Sequence, residues 1–468
     1  MGPLIAGLQA VVGARYCLTD PDALAPFLTD WRAIYRGSAR AAVLPDTVEQ
    51  VQAIVHLARQ HRAPIVPQGG NTGLSGGATP DDSGKAIVLA LKRLNRLRAI
   101  DPLNNSMVAE AGCILADLQL AASNNDRLFP LSLAAEGSCQ IGGNLATNAG
   151  GINVLRFGNA RELTLGLEVV LPDGRLISHL DALRKDNTGY DLKQMFIGSE
   201  GTLGIITAAA LKLFPKPVTR ATAIVALTGL DAAPALLARC RAGLADQLVS
   251  FELLPRFGIE LGRRFVPGLV WPFQELPEWS ILIEANTSST SFALRTAMEH
   301  TLAASLEAGE ISDAAVASSE AQSLAMWRLR EGIVEGQHQS GASIKHDVSV
   351  PVAKVPAFMT AGFEAVLGAW PEARLLAFGH LGDGNIHFNL VQPAGESKER
   401  FLQRTETMNG VVHDVLARFG GSISAEHGIG QLRRAELQHR KPAAELDLMR
   451  RIKRLIDPDN LMNPGKLV

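Results

Sequence analysis

The chain has 468 residues, 47% hydrophobic and 20% charged, with 45 Lys+Arg against 47 Asp+Glu and a formal charge of -2 at pH 7. At about 150 residues per domain this implies roughly three domain-sized units able to bury large cores, and it excludes disordered, collagen-like and coiled-coil chains. The balanced charge argues against a nucleic-acid partner, which needs clustered cations, and favours a small-molecule site.

Cys17, Cys113, Cys139 and Cys240 sit far apart with no C-x-x-C pair, and no secretory leader precedes Met1-Gly2-Pro3. No apolar run approaches the roughly 20 residues of a membrane span. The expectation is a cytoplasmic protein with reduced, structural cysteines and no integral membrane segment, with peripheral membrane contact left open.

In chain order, the spacing of Thr47 and Gln50 fits a capping box. Val48, Val51, Ile54, Val55 and Ala58 then make one apolar helix face that ends near His61. Residues 63–67 read as a short strand feeding a glycine loop. Residues 163–170 and 204–207 read as β, bracketing the turn Pro172-Asp173-Gly174. Pro215-Lys216-Pro217 breaks the pattern and marks a domain boundary. Beyond it, helices over 232–245 and 292–307 alternate with strands over 222–227 and 279–284, an α+β pattern. A helix over 443–456 leads into a polar, turn-rich tail, 457–466, placed to fold back onto the first domain. The expected organisation is an α+β first domain over 1–216, a second α+β domain with antiparallel sheet over 217–412, and a small helical C-terminal segment over 413–468.

Glycines crowd at 69–77, 137–151, 198–204, 379–384 and 420–430, where backbone must approach something closely or take positive φ. Gly73-Leu74-Ser75-Gly76-Gly77 matches the G-x-S-x-G of a nucleophile elbow, but the turn run that follows, 78–84, denies it the required helix. Rossmann G-x-G-x-x-G and Walker patterns are absent. What remains is a first cradle, Pro67, Gln68, Gly69, Gly70, Asn71, Thr72, Gly73, Gly76 and Gly77, whose free N–H groups suit a pyrophosphate; a plain flexible loop is the alternative. A second cradle interleaves small residues with amides and hydroxyls suited to a planar heterocycle: Gly137, Ser138, Ile141, Gly142, Gly143, Asn144, Thr147, Asn148, Gly150 and Gly151.

Further on, His380 and His387 stand seven residues apart across a glycine turn, and Glu426 adjoins His427 in a second glycine-flanked segment. Two His and one Glu make a ligand set for Zn²⁺ or a similar divalent metal. A lone histidine is usually a satisfied structural residue; three beside a Glu at glycine-flanked ends carry more weight. No H-E-x-x-H helix accompanies them.

The two cradles, together with Ile197-Gly198-Ser199-Glu200-Gly201-Thr202-Leu203-Gly204-Ile205, resemble the flavin-binding domain of the vanillyl-alcohol-oxidase / para-cresol-methylhydroxylase superfamily. The resemblance covers nearly the whole chain and implies that 1–216 is the FAD-binding domain, 217–412 the substrate-binding (cap) domain, and 413–468 a segment that completes the active site. It is strongest with the FAD-linked D-2-hydroxyacid dehydrogenases, above all those acting on D-2-hydroxyglutarate, whose early stretch is similar to Thr29-Asp30-Trp31-Arg32 to Tyr35-Arg36-Gly37. It implies FAD with its pyrophosphate on the first cradle and its isoalloxazine near the second. Glu200, Gly201, Gly204, Ile205 and Asn463 are further contacts, and the FAD is non-covalent because the first cradle holds neither His nor Cys. It implies that His380, His387 and Glu426 hold the metal and that Asn389 and His427 face the substrate, His427 as general base. His380 is thereby also counted beside the substrate.

Arg330 and Lys345, by default solvated surface charges, correspond to positions that bind the distal carboxylate. Val334 departs from the pattern, standing where a hydroxyl residue often assists. The expected reaction is oxidation of a D-2-hydroxy acid, first of all D-2-hydroxyglutarate to 2-oxoglutarate. D-Lactate, D-malate or glycolate are alternatives within the family, and a metal-dependent hydrolase or a non-catalytic FAD-binding module lie outside it. The resemblance also implies an electron-accepting partner such as electron-transfer flavoprotein, and a homodimer.

Overall fold

The computed structural model describes residues 2–468 and divides into two compact units. One comprises Met1–Gly151, Gly158–Lys216 and Glu426–Val468; the other comprises Ile152–Phe157 and Pro217–Ala425. Both mix helices with sheets in an α+β arrangement.

In the first unit the helix Val48–Gln60 starts where Thr47 accepts from Gln50 N at 3.2 Å, while the Gln50 side chain accepts from Asp46 N at 2.9 Å. The reciprocal arm of the box thus lands one residue before the cap. Val51, Ile54, Val55 and Ala58 bury the apolar face against Ile65, Ile87 and Leu89. These last belong to a four-stranded sheet in which Ala41–Val43, Ile87–Ala90 and Ile65–Gln68 run parallel. A five-stranded antiparallel sheet follows, with Ile205–Lys212 between Ser106–Glu110 and Thr164–Val170. The turn at 172–174 closes with Gly174 N donating to Leu171 O at 2.9 Å.

The tail folds back because Asp457, just past the helix Ala443–Ile456, accepts from Leu461 N at 3.0 Å and Met462 N at 2.8 Å. Lys453 Nζ ties Thr202 O at 2.8 Å to Met462 O at 2.7 Å. Ile65 N donates to Leu461 O and Asn463 N to Ile65 O, both at 2.8 Å, so the tail lies beside the strand that feeds the first glycine loop.

In the second unit Leu248–Pro255, Trp279–Thr287, Thr219–Leu227 and Ile311–Val316 form an antiparallel sheet in that order. Alternate residues fill two cores. Val225, Phe251 and Ile283 pack under the helices Ala233–Leu244 and Leu294–Glu307. Ile224, Leu254 and Leu282 pack under Arg256–Phe265 and Glu320–Gln339. The period of two with both faces covered explains why these strands read as near-continuous apolar runs. A second antiparallel sheet is built on Asn385–Val391, with Arg374–Phe378 and Asp347–Ser349 beside it. The two sheets meet where Leu253 N donates to Gly379 O at 2.8 Å and Gly379 N to Leu253 O at 3.2 Å.

The break near the C-terminus falls after Ala425 rather than at 412/413. Thr405–Arg418 is one helix whose Met408, Val412, Val415 and Leu416 belong to the second unit's core, so a cut at 412 would divide it. Residues 152–157 also join the second unit, through Ser250 Oγ to Ile152 O at 2.6 Å and Arg156 to Asn286 O at 2.8 Å. By length and composition Val352–Ala369 is apolar enough to cross a membrane, which the sequence reading does not count. Its Val355, Phe358, Met359 and Val366 are buried in this same core. All four cysteines are buried and free.

Candidate active site

The first unit holds a cavity walled by both glycine cradles. Its wall includes Pro67, Gln68, Gly69, Gly70, Asn71, Thr72, Gly73 and Gly77 of the first cradle, and Gly142, Gly143, Asn144 and Thr147 of the second. Glu200, Gly201, Gly204, Ile205 and His427 complete the residues read from sequence, while Ser75, Ala78, Cys139, Gln140 and Ile206 also line it and were not singled out.

Local chemistry explains the shape. Gln68 Nε2 donates to Phe27 O at 3.0 Å and Ala78 O at 2.9 Å, and Asn71 Nδ2 donates to Thr29 O at 2.8 Å. These amides brace the loop and leave its backbone facing the cavity. The cradles interlock, since a Cβ at Gly70 would run into the Ser138 carbonyl and one at Gly142 into Ala111, whereas a Cβ at Gly73 or Gly143 would meet open space. Gly70→Ala therefore should push the cradles apart at a cost of about 1–3 kcal/mol, roughly 10–100-fold in FAD affinity. Fluorescence titration of FAD into the stripped protein checks this, and an unchanged affinity would refute the close-approach argument.

The other expected contacts are not among the residues of that wall. Gly76 takes φ 68 with the Tyr35 ring against it, and Gly151 takes φ 136 against the Ser132 carbonyl. Gly150 is buried and Gly137 faces open space. Ser138 Oγ donates to Ala135 O at 3.4 Å, Asn148 Oδ1 accepts from Arg161 N at 2.9 Å, and Ile141 is fully buried. Asn463 Nδ2 donates to Gly77 O at 2.9 Å and Glu200 O at 2.7 Å, joining the tail to both cavity walls.

Glu200 is buried, which pushes its carboxyl upward, opposed by the N–H groups of Ile429 at 2.8 Å and Gly430 at 2.7 Å. Gln431 Nε2 donates to Gly76 O at 2.9 Å and Thr79 O at 3.0 Å, and Ser75 Oγ donates to the carbonyls of His427 and Gly428 at 3.2 Å. The segment carrying His427 is thus clamped onto the first glycine loop. His427 Nε2 lies 3.7 Å from Glu426 Oε1.

Lys466, in the same tail, is buried, and desolvation lowers its ammonium from the ordinary 10.5 to about 8 despite the nearby Asp81. The folded chain therefore releases this proton before the unfolded chain does, and stability should rise with pH between about 8 and 10.5. Lys466→Met should flatten that rise in denaturant unfolding measured across the window; an unaltered slope would show that the group is not desolvated.

The second unit carries the remaining residues. Glu252, in the middle of Leu248–Pro255, is buried; burial would push its carboxyl up, but His380 and Arg330 outweigh it and hold it at about 2. His380 Nδ1 lies 2.7 Å from Glu252 Oε1, and Arg330 Nε donates to Oε2 at 2.9 Å. The guanidinium also lies over Phe378, 4.9 Å from its centroid. The rings of His380 and His387 stand 5.4 Å apart, and His387 Nδ1 is 3.9 Å from Asp347 Oδ1. Asn389 is buried, its Oδ1 accepting from His346 N and its Nδ2 donating to Gln337 Oε1, both at 3.2 Å. Lys345 is exposed, and Val334, one turn beyond Arg330, is 43% exposed. Ala425 N donates to Asp347 O at 3.1 Å, which fixes the peptide immediately ahead of Glu426.

Residues 39–179 match the model for the FAD binding domain, and residues 216–467 that for the FAD linked oxidases, C-terminal domain. The chain belongs to the FAD-linked oxidase family. It is 38% identical over 467 residues to D-2-hydroxyglutarate dehydrogenase of Xanthomonas citri pv. viticola, covering 99% of this chain and 97% of that one. It is also 38% identical over 467 residues to the mitochondrial D-2-hydroxyglutarate dehydrogenase of Bos taurus, covering 99% and 83%. Among solved structures, p-cresol methylhydroxylase with substrate bound is similar with a TM-score of 0.76 at 17% identity over 99% and 96% of the chains. Alkyldihydroxyacetonephosphate synthase is similar with a TM-score of 0.73 at 16% identity over 99% and 85%. These last two show the fold. The chain is an FAD-dependent oxidoreductase of the D-2-hydroxyglutarate dehydrogenase family, with an FAD-binding first unit, which removes the ground for a flavin-free hydrolase.

The cavity fits that cofactor. The amide oxygens of Gln140 and Asn144 on its wall are buried without a hydrogen-bond partner, as acceptors for polar donors of a bound group.

Proposed function

We propose that this protein oxidises D-2-hydroxyglutarate to 2-oxoglutarate. One observation carries the reading: His427, beside a carboxylate, stands in the wall of the flavin cavity on a segment pinned by Glu200, Ser75 and Gln431. FAD, when bound, supplies the two-electron acceptor for the hydride leaving C2. His427 takes the hydroxyl proton, so that the carbonyl forms as proton and hydride depart. A divalent ion such as Zn²⁺ would be held by His380, His387 and Glu426 and would supply a Lewis acid for the α-hydroxyl and the C1 carboxylate.

The donor set suits such an ion: Glu252 occupies His380 Nδ1, which leaves Nε2 as the ligating atom. Arg330 and Lys345 take the distal carboxylate, Arg330 through its terminal nitrogens because Nε is committed to Glu252. Asn389 braces the site from its buried network and presents its remaining donor to the substrate. Cys139 and His427 line the cavity, but burial raises the Cys139 thiol, and a protonated thiol is a poor nucleophile, which supports non-covalent FAD. A protein acceptor such as electron-transfer flavoprotein would take the electrons from the bound cofactor.

Anaerobic mixing with D-2-hydroxyglutarate, D-malate, D-lactate, glycolate and the L-enantiomers tests the reading by the bleaching of oxidised flavin. Bleaching fastest with D-2-hydroxyglutarate, and its loss on chelation with recovery on adding Zn²⁺, is the expected result. Absence of bleaching by every D-acid overturns the proposal.

A further inference from the structure

Glu252 is the one charged residue of the strand Leu248–Pro255 and is 1% exposed. A lone carboxylate buried to that degree would be neutralised or excluded, so its partners decide what it is for. It has two, and they differ in kind: Oε2 receives Arg330 Nε and Oε1 receives His380 Nδ1. Arg330 Nε reaches Oε2 alone, so Oε1 needs a donor of its own, and the one it has is a histidine of the candidate metal set.

The backbone shows how the three come together. Leu253 is bonded in both directions to Gly379, which sets the preceding residue of one strand beside the residue following Gly379, His380. Arg330 enters from the helix Glu320–Gln339 and rests on Phe378, two residues before His380. Accepting a proton from Nδ1 fixes the imidazole's tautomer and rotation, so the lone pair on Nε2 is presented in one direction. The same carboxylate fixes the rotation of the guanidinium about its Nε.

We propose that Glu252 is a positioning residue that orients, with one carboxylate, both a metal ligand and the arginine that meets the substrate's distal carboxylate. This rests on the roles given to His380 and Arg330 under the proposed function. A disturbance at Glu252 is therefore felt at both ends of the substrate, although Glu252 touches neither substrate nor metal.

The test uses the FAD-loaded full chain and Zn²⁺ alone, with affinity read by competition against a chromogenic chelator. Glu252→Gln should weaken Zn²⁺ binding about 10–100-fold. It should also raise KM for D-2-hydroxyglutarate more than for D-lactate. Arg330→Met should raise KM for the diacid and leave Zn²⁺ affinity within about threefold of the parent, because the carboxylate still holds His380.

Folding is monitored by far-ultraviolet circular dichroism. Should Glu252→Gln fail to fold, the double variant Glu252→Gln/Arg330→Met leaves no buried cation unpaired and is expected to show the same loss of Zn²⁺ affinity. Parent-like Zn²⁺ affinity in a folded Glu252 variant, with His380→Ala losing the ion, overturns this inference and leaves the metal reading standing. A parent chain that binds no Zn²⁺ overturns both.

Discussion

Replacing His380 or His387 by alanine, or Glu426 by glutamine, is expected to lower flavin reduction by D-2-hydroxyglutarate by about 10³-fold or more, while the purified protein stays yellow. The magnitude follows from removing a Lewis acid, worth several kcal/mol of charge stabilisation, at about 1.4 kcal/mol per tenfold in rate. Retention of colour follows from the division of labour. The flavin cavity is walled by the two glycine cradles, the 200–206 segment and His427, all within the first unit, whereas His380 and His387 belong to the second and Glu426, though in the first, is not on that wall. Anaerobic stopped-flow measurement of flavin bleaching, beside the ratio of flavin to protein absorbance, checks both halves. Loss of flavin in all three variants would show that these residues support the fold instead.

Local chemistry made part of this protein legible from its sequence. The helix Val48–Gln60 follows from a cap and a 3.6-residue period that both lie within one short window. The glycine cradles could be found because only glycine admits the approach of Gly70 to the Ser138 carbonyl, a demand that leaves its mark in composition. The direction of a side chain leaves no such mark. Gln68 and Asn71 look like ligand contacts in the sequence, yet their donors brace the loop on the carbonyls of Phe27, Ala78 and Thr29.

Glu252 does not stand out in the sequence because its partners lie 78 and 128 residues away. A signal did exist: an acid inside the run Leu248–Pro255 must have a partner if the strand is buried, and asking which cation it meets leads to Arg330. The end of the second unit at Ala425 is hard to read from the sequence for a related reason. The helix Thr405–Arg418 continues through 412/413 on an apolar face whose core lies far away in sequence.

Lys345→Met is expected to lower kcat/KM for D-2-hydroxyglutarate by about 10²-fold and to leave D-lactate within about threefold of the parent. Each charge-assisted hydrogen bond to the distal carboxylate is worth roughly 1.5–3 kcal/mol, and a monoacid makes none of them. The structure shifts the weight toward the lysine: Arg330 Nε is committed to Glu252 and its plane is fixed over Phe378, so the arginine cannot swing to compensate. Lys345 is exposed and presents its ammonium on a long aliphatic stem. Val334, 43% exposed and one helical turn beyond Arg330, offers no hydroxyl to the far end of a longer acid. Val334→Thr should therefore move the preference from D-malate toward D-2-hydroxyglutarate, by about threefold to tenfold for one added neutral hydrogen bond. Steady-state kinetics on the three acids with each variant decide the matter. Equal losses on D-lactate and D-2-hydroxyglutarate in Lys345→Met would place the lysine at the C1 end or in the frame of the site, and the preference for a diacid would then have to come from elsewhere.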